Sequence, residues 1–289
     1  MLFPNARSIL KRGPSLDTYK MLLLAAASSR PGLRALSFGL LRPFIHNGGL
    51  SIRYKCERRS YTAFIRMEDV DSDFCSVFEL AVRHIYHIDP KLAPDLIIDC
   101  GGNTGLFTLD ATARYPDAKI VICEPVPRNL DQIRRHFQFN NVVAEVLPVC
   151  IGGSRRVIPF YVREANQGSF DPEKPYTSKL EVEVLSLADL LRERPAQRIY
   201  IKMDIEGMEI EALESYVPTE TRPVCIVGEL HGHKENSRHL ERIFGAHGWQ
   251  LGFEDVSDAG SIFEAYSPAA LALLGRSPVA TPVSVGRER

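Results

Sequence analysis

Five apolar runs, at residues 95–100, 119–123, 143–149, 199–204 and 223–230, carry almost no polar alternation. Runs of this kind read as strands buried on both faces, the setting of a parallel sheet. Between them the apolar positions take helical spacing, over 105–115, 127–139, 207–216 and 236–247. That alternation predicts an α/β chain with a parallel sheet and right-handed crossovers. Ahead of it, Ser51–Lys55 and Tyr61–Arg66 alternate as a small hairpin would, and Phe74 to Ile88 has the spacing of a helix through Val77, Phe78, Ala81, Val82 and Ile85. Arg156–Val162 and Leu180–Leu185 read as two further strands joined by a polar loop, and Trp249–Glu254 with Ser261–Tyr266 as a terminal hairpin. There is no internal repeat. The pattern divides the chain into a helical and hairpin extension over 1–90, a core domain over 91–267 and a Pro-, Ser- and Arg-rich tail over 268–289, expected to be disordered beyond about Gly275.

Composition narrows the class. With 289 residues, 45% hydrophobic and 25% charged, the chain suits one soluble domain with extensions. Its 35 basic and 36 acidic residues leave a net charge of −1, which gives no footprint for nucleic acid. Six cysteines include no Cys-x-x-Cys, and four sit in or at the ends of strand-like runs. They read as small buried hydrophobes in a reducing, cytoplasmic setting. Met21–Ala27 is too short to span a bilayer and begins too late for a signal peptide. No transmembrane segment is expected. The apolar N-terminal region reads either as a homodimer contact or as part of an acceptor pocket.

The first chemistry lies in Asp99-x-Gly101-Gly102-Asn103-x-Gly105, between a strand and a helix. Glycines there allow positive φ and close backbone approach, and the helix start offers free N–H groups. The dinucleotide spacing Gly-x-Gly-x-x-Gly is absent, and so is the P-loop. A carboxylate before the first glycine suits a ligand with an ammonium and no phosphate, which describes S-adenosylmethionine. Asp99 is therefore expected to face the cofactor's amino group, with Gly101, Gly102, Asn103 and Gly105 around it. Glu124 ends the next strand, where an acid can hold ribose hydroxyls. Cys150, after the third strand, is expected to border the adenine.

The second unusual segment is Ile199-Tyr-Ile-Lys-Met-Asp-Ile-Glu-Gly-Met-Glu209. Lys202 lies inside an apolar strand, where a charge needs a partner. Asp204 and Glu206 cluster at the strand tip, and Glu209 falls in a first helical turn, where the dipole favours an acid. Asp99, Glu124, Asp204 and Glu229 all end predicted strands, so one rim of the sheet collects four acids.

In these motifs the chain resembles the FkbM family of S-adenosylmethionine-dependent methyltransferases. The Asp99-to-Gly105 turn, Glu124-Pro125, the Asn166-Gln-Gly-Ser169 loop and Lys202-x-Asp-x-Glu-Gly-x-Glu209 stand in that family's order over Phe78 to Leu230. Gly102 occupies a position usually filled by alanine. The resemblance implies a class I methyltransferase fold: a seven-stranded, mostly parallel Rossmann-like sheet with helices on both faces and an antiparallel C-terminal hairpin. It also implies methylation of a hydroxyl on a sugar, glycan or small natural product. Asn166, Ser169 and Glu229 are then expected to contact the acceptor. Asp204, Glu206, His231 and Lys202 form the catalytic set, with His231 as one of three possible bases and Lys202 steering Asp204. Glu229, His231 and His233 invite comparison with a metal cluster, but the helical His-Glu-x-x-His pattern is absent and no metal is expected. The competing readings are an NAD-dependent oxidoreductase or epimerase, disfavoured by Asp99, and a non-catalytic Rossmann-like binding module, which would not need Lys202, Asp204 and Glu206. An N- or C-methyltransferase would typically carry an aromatic or Asn-Pro-Pro-Tyr clamp where this chain has Met-Asp-Ile-Glu-Gly.

Overall fold

Strands with apolar side chains on both faces must be covered on both faces, and this requirement organises the molecule. The computed structural model describes residues 42–46, 49–66, 69–80, 85–86, 89–163, 168–171, 173, 175–257, 260–276 and 283–284. The apolar stretch Met21–Ala27 lies outside them, as do residues 81–84 of the expected helix.

Along the chain, β1 (Arg42–His46), β2 (Gly49–Cys56) and β3 (Arg59–Ile65) form an antiparallel three-stranded sheet, one strand more than the expected hairpin. Helix α1 (Val70–Phe78) follows. The core begins with β4 (Leu96–Cys100), α2 (Leu106–Arg114), β5 (Lys119–Cys123), α3 (Pro127–Asn140) and β6 (Glu145–Leu147). Pro148 then separates β6 from β7 (Val149–Gly152), so the single expected strand at 143–149 is split between two sheets. Strands β8 (Arg156–Val162), β9 (Gly168–Ser169) and β10 (Ser178–Ser186) complete the second sheet, in the order β7-β10-β8-β9. Helix α4 (Leu187–Arg192) starts at Ser186, whose hydroxyl accepts from the Asp189 N–H. The chain re-enters the core through β11 (Ile199–Met203), α5 (Glu209–Tyr216), β12 (Val224–His231), α6 (His233–Ala246), β13 (Gln250–Ser257) and β14 (Gly260–Tyr266). Helix α7 (Pro268–Leu274) and the two-residue β15 (Val283–Ser284) close it.

The core sheet runs β15-β13-β14-β12-β11-β4-β5-β6. Pairs from β6 through β12 are parallel, and β14 runs antiparallel to both β12 and β13. Leaving aside the short edge strand β15, this is the expected seven-stranded, mostly parallel sheet with an antiparallel C-terminal hairpin. Every residue of β4 and β11 is buried. The order reverses beside β4, so the carboxyl ends of β4, β5, β11 and β12 share one rim, where open α/β sheets place their sites.

The tail begins with α7, which ends ahead of the stretch beyond Gly275 expected to be disordered. Ala270 and Leu271 are buried, and the Ser267 hydroxyl caps the helix by accepting from the Ala270 N–H. Composition alone hid this helix, because a Ser-Pro start is also a good helix entry.

The N-terminal sheet docks through an unusual edge. The free backbone of β3 finds partners on a polar stripe of α3 at Gln132, His136 and Asn140. Asn140 Oδ1 accepts from the Thr62 N–H and its Nδ2 donates to Thr62 O. The Phe64 N–H donates to His136 Nε2 at 2.8 Å, and Gln132 donates to Phe64 O. Spacing of four keeps the three side chains on one helix face, and a strand edge left bare would invite pairing with another chain. His136 Nδ1 bonds the Thr104 carbonyl at 2.7 Å, tying this docking to the glycine turn. Burial holds the ring's pKa down at about 4, so it stays neutral with its proton on Nδ1.

Candidate active site

Two turns meet at the sheet rim. In the first, after β4, Gly101 and Gly102 both donate to the Cys123 carbonyl, at 3.0 and 2.9 Å. Gly101 has φ +78°, and a Cβ there would fall 1.7 Å from the Asp204 carbonyl oxygen. Only glycine lets the two turns touch. At Gly102 a Cβ would meet Ile122 Cγ1 at 2.3 Å. Ile122 thus fills the room an alanine would need, which accounts for the departure from the family pattern.

Lys202 is the link beneath these turns. It stands directly opposite Asp99 in the β4–β11 register. Its ammonium donates to Gly101 O at 2.6 Å and lies 3.5 Å from Asp99 Oδ1 and 3.8 Å from Asp204 Oδ2. Burial pulls the lysine's pKa down, but the Asp99 and Asp204 carboxylates outweigh it and the net shift is upward. Asp99 is fully buried, accepts a 2.9 Å bond from Thr108 and does not line the cleft. Burial raises its pKa against the pull of Lys202. Asp99, expected to face a cofactor's amino group, stands beside the buried Lys202 and outside the cleft lining.

Glu124 ends β5 on the cleft wall. Its carboxylate accepts from the Asn103 N–H (2.8 Å), the Val126 N–H (2.9 Å) and Asn129 Nδ2 (3.1 Å). A carboxylate has about four acceptor sites, so one remains for a ligand. Burial raises its pKa to about 7, against those three bonds. Asn103 adopts φ +47° and keeps a buried Oδ1 without a partner.

Around Glu124 lies a cleft, open to solvent and lined by Gly101, Asn103, Val126, Cys150, Phe160 and Phe170 among others. Cys150 and its neighbours Val149 and Ile151 give it an apolar wall, and the edge-on Phe160–Phe170 pair closes it from the second sheet. Gly102 and Gly105 lie outside the lining.

The second turn carries Asp204, Ile205 and Glu206 onto the opposite wall. Asp204 Oδ2 also accepts from Tyr86 at 3.2 Å. Glu206 is held at φ +60°, in the left-handed region. Glu209 fastens the turn from below. Fully buried at the start of α5, it accepts from the Ile205 and Gly207 N–H groups and bonds His231 Nδ1 at 2.9 Å. His231 Nε2 lies 3.6 Å from Glu206 Oε2. Burial and Asp204 push the Glu206 carboxyl up to about 7, and burial with Asp204 also raises Glu229. Burial works against the His231 imidazolium, yet the Glu209 bond and the surrounding carboxylates raise its pKa to about 9. That rise favours the imidazolium over the neutral ring that a base role would need.

Residues 99–254, more than half of the chain, match the methyltransferase FkbM domain. The chain belongs to the FkbM methyltransferase family. It is 28% identical over 194 residues to Methyltransferase sdnD of Sordaria araneosa, covering 55% of this chain and 73% of that protein. It is also 28% identical over 158 residues to Methyltransferase 1 of Beauveria bassiana (strain ARSEF 2860), covering 47% of this chain and 64% of that one. Among solved structures it is similar to precorrin-6y C5,15-methyltransferase of Geobacter metallireducens GS-15, with a TM-score of 0.41 at 14% identity over 66% of this chain and 88% of that chain.

In this FkbM methyltransferase, Asn166 lies outside the described residues, as do the side chains of Ser169 and His233. Ser169 sits in β9 between Gly168 and Phe170, both on the cleft wall. Glu229 stands beside Asp204 and His231 at the rim. Three contributors escaped the sequence. Asn129 is five residues past Glu124 in the first turn of α3, and that spacing was a usable sign. Thr108 meets Asp99 one helical turn into α2. Tyr86 reaches Asp204 from a segment whose pattern marked only a helix.

Proposed function

We propose that this FkbM methyltransferase uses S-adenosylmethionine to methylate a hydroxyl on a sugar, glycan or small natural product. The observation that carries the cofactor is the open acceptor site on Glu124, set in a cleft with an apolar wall at Val149–Ile151. Ribose hydroxyls are donors and suit that carboxylate, and an adenine suits that wall. The cofactor supplies a methyl group on a sulfonium sulfur. Glu124 would hold the ribose, and the Asn103 side chain, with its unpartnered buried oxygen, would meet the polar end. Asp99 and Lys202 act through the turn, fixing Gly101 and Asp204.

Glu206 is the residue we assign to take the acceptor's proton. It lines the cleft, whereas Asp204 is engaged by Tyr86 and Lys202. Holding an oxygen and the methyl group in line accounts for much of the rate in such a transfer. Five of the six cysteines are buried, which supports a reducing cytoplasmic setting. Among the described residues no helix is long and apolar enough to cross a membrane.

The test is transfer of labelled methyl groups from S-adenosylmethionine to a panel of sugars, glycosides and polyols, set beside amine and carbon acceptors. The expected result is a hydroxyl acceptor for the native protein, with kcat reduced about 10²- to 10⁴-fold in Glu206→Gln and turnover lost in Asp204→Ala with the fold intact. Labelling only of amine or carbon acceptors would refute the hydroxyl reading.

A further inference from the structure

Arg66 stands one residue past β3, well ahead of the core sheet, yet its side chain reaches a residue of the cleft wall. Asp73 of α1 grips the guanidinium through paired bonds, Nε to Oδ2 at 3.0 Å and Nη2 to Oδ1 at 2.7 Å. The Arg66 backbone N–H donates to the same carboxylate at 2.8 Å. Paired bonds of this kind fix the plane of a guanidinium. From that plane Nη1 donates to Asn129 Oδ1 at 2.8 Å. Tying β3 to α1 needs only the bonds to Asp73, so the one to Asn129 points to a second role.

Asn129 is 2% exposed and lines the cleft, and its two ends meet opposite chemistries. Arg66 can only donate, and an ionised Glu124 can only accept. A single orientation of the amide serves both: Oδ1 toward Arg66, and Nδ2 toward Glu124 Oε1 at 3.1 Å. A cation on Oδ1 also polarises the amide and strengthens the donation from Nδ2. Glu124 Oε1 accepts in addition from the Val126 N–H, whereas Oε2 accepts from the Asn103 N–H. With about two acceptor sites on each oxygen, the open site falls on Oε2. Its direction depends on Oε1 being held. Without Arg66, Asn129 Oδ1 is a buried acceptor that has lost its donor, a costly state that frees the amide to turn away.

We propose that Arg66 is a positioning residue of the cofactor cleft: through the Asn129 amide it holds Glu124 so that Oε2 meets the ribose hydroxyls. This rests on the S-adenosylmethionine reading of the cleft. The N-terminal extension is then part of the cofactor site and not an accessory to it. A second contact from the same strand runs the same way, from the Phe64 N–H through His136 to the Thr104 carbonyl in the glycine turn.

The experiment is calorimetric titration of the full-length protein with S-adenosylhomocysteine and with its dideoxy analogue, which lacks both ribose hydroxyls. Arg66→Met alone would strand the buried Asp73 carboxylate, so it is made together with Asp73→Asn. A carboxamide at that position still accepts from the backbone N–H, and Asp69, 3.8 Å from Arg66, keeps Arg128 at 3.3 Å. The native protein is expected to prefer the hydroxylated ligand at least about tenfold, the scale of a hydrogen bond to a charged group. Glu124→Ala, Asn129→Ala and the Arg66→Met, Asp73→Asn double variant should each bring that preference below about threefold, with affinity for the dideoxy analogue unchanged. Unchanged dideoxy binding also shows that the cleft is folded. If Glu124→Ala loses the preference but the double variant or Asn129→Ala keeps it, this inference alone is overturned. Loss of both ligands in the double variant gives Arg66 a purely structural role and overturns it as well. A native protein that binds neither ligand, or binds both alike, overturns the cofactor reading and this inference with it.

Discussion

Replacing Lys202 with methionine removes the one cation buried between the two turns. The ammonium serves Gly101 O at 2.6 Å and Asp99 Oδ1 at 3.5 Å, and Asp99 then keeps only the Thr108 hydroxyl. Removing one partner of a buried pair costs about 3–5 kcal/mol, because an uncompensated charge stays behind. The cost depends on pH in a definite direction. Burial already raises the Asp99 pKa against the pull of Lys202, and loss of Lys202 raises it further. A carboxyl raised above its unfolded value of about 3.9 is destabilising in its charged form. The deficit of the variant is therefore small near pH 4 and grows as pH rises. Urea unfolding of both proteins from pH 5 to 8 measures it. The double variant Lys202→Met, Asp99→Leu removes the stranded charge and should recover at least about 2 kcal/mol, since apolar replacements of buried pairs are often neutral or better. A loss below about 1 kcal/mol at pH 8, or no recovery in the double variant, would refute the buried-link reasoning.

The remaining predictions concern packing and protonation elsewhere. Gly102→Ala places a methyl 2.3 Å from Ile122 Cγ1 and should cost about 1–3 kcal/mol in chemical unfolding. Combined with Ile122→Ala, it should cost less than the sum of the two single changes. His136, held neutral with a folded pKa of about 4, must take up a proton on acid unfolding. Its contribution is complete above pH 6.5 and is lost as pH falls toward 4, about 3 kcal/mol in all, so the pH slope of stability over that window should flatten in His136→Gln.

Much of this site was legible in the sequence because its chemistry breaks local rules. Lys202 is a charge in a fully apolar strand, and such a residue announces a partner. Asp99 and Glu124 end consecutive strands at the spacing of a nucleoside site, and both reach the rim. The sheet followed from the same cause, since strands buried on both faces carry continuous apolar runs. What the sequence hid depends on direction more than on identity. Nothing in the order of residues tells that Asp99 lies directly across the register from a buried ammonium. His231 looked like a base because histidine usually titrates near neutrality, but the buried Glu209 of the preceding helix favours its protonated form. Pro148 sends one apolar run into two sheets, and α7 disguises a capped helix in a composition that suggests disorder.

The most direct measurement is calorimetric titration with S-adenosylmethionine, with NAD as the control, on the native protein and on Glu124→Ala. Micromolar binding of S-adenosylmethionine, lost or weakened at least tenfold in Glu124→Ala while NAD gives no heat, is the predicted result. NAD binding, or an S-adenosylmethionine affinity indifferent to Glu124, would contradict the assignment of this cleft.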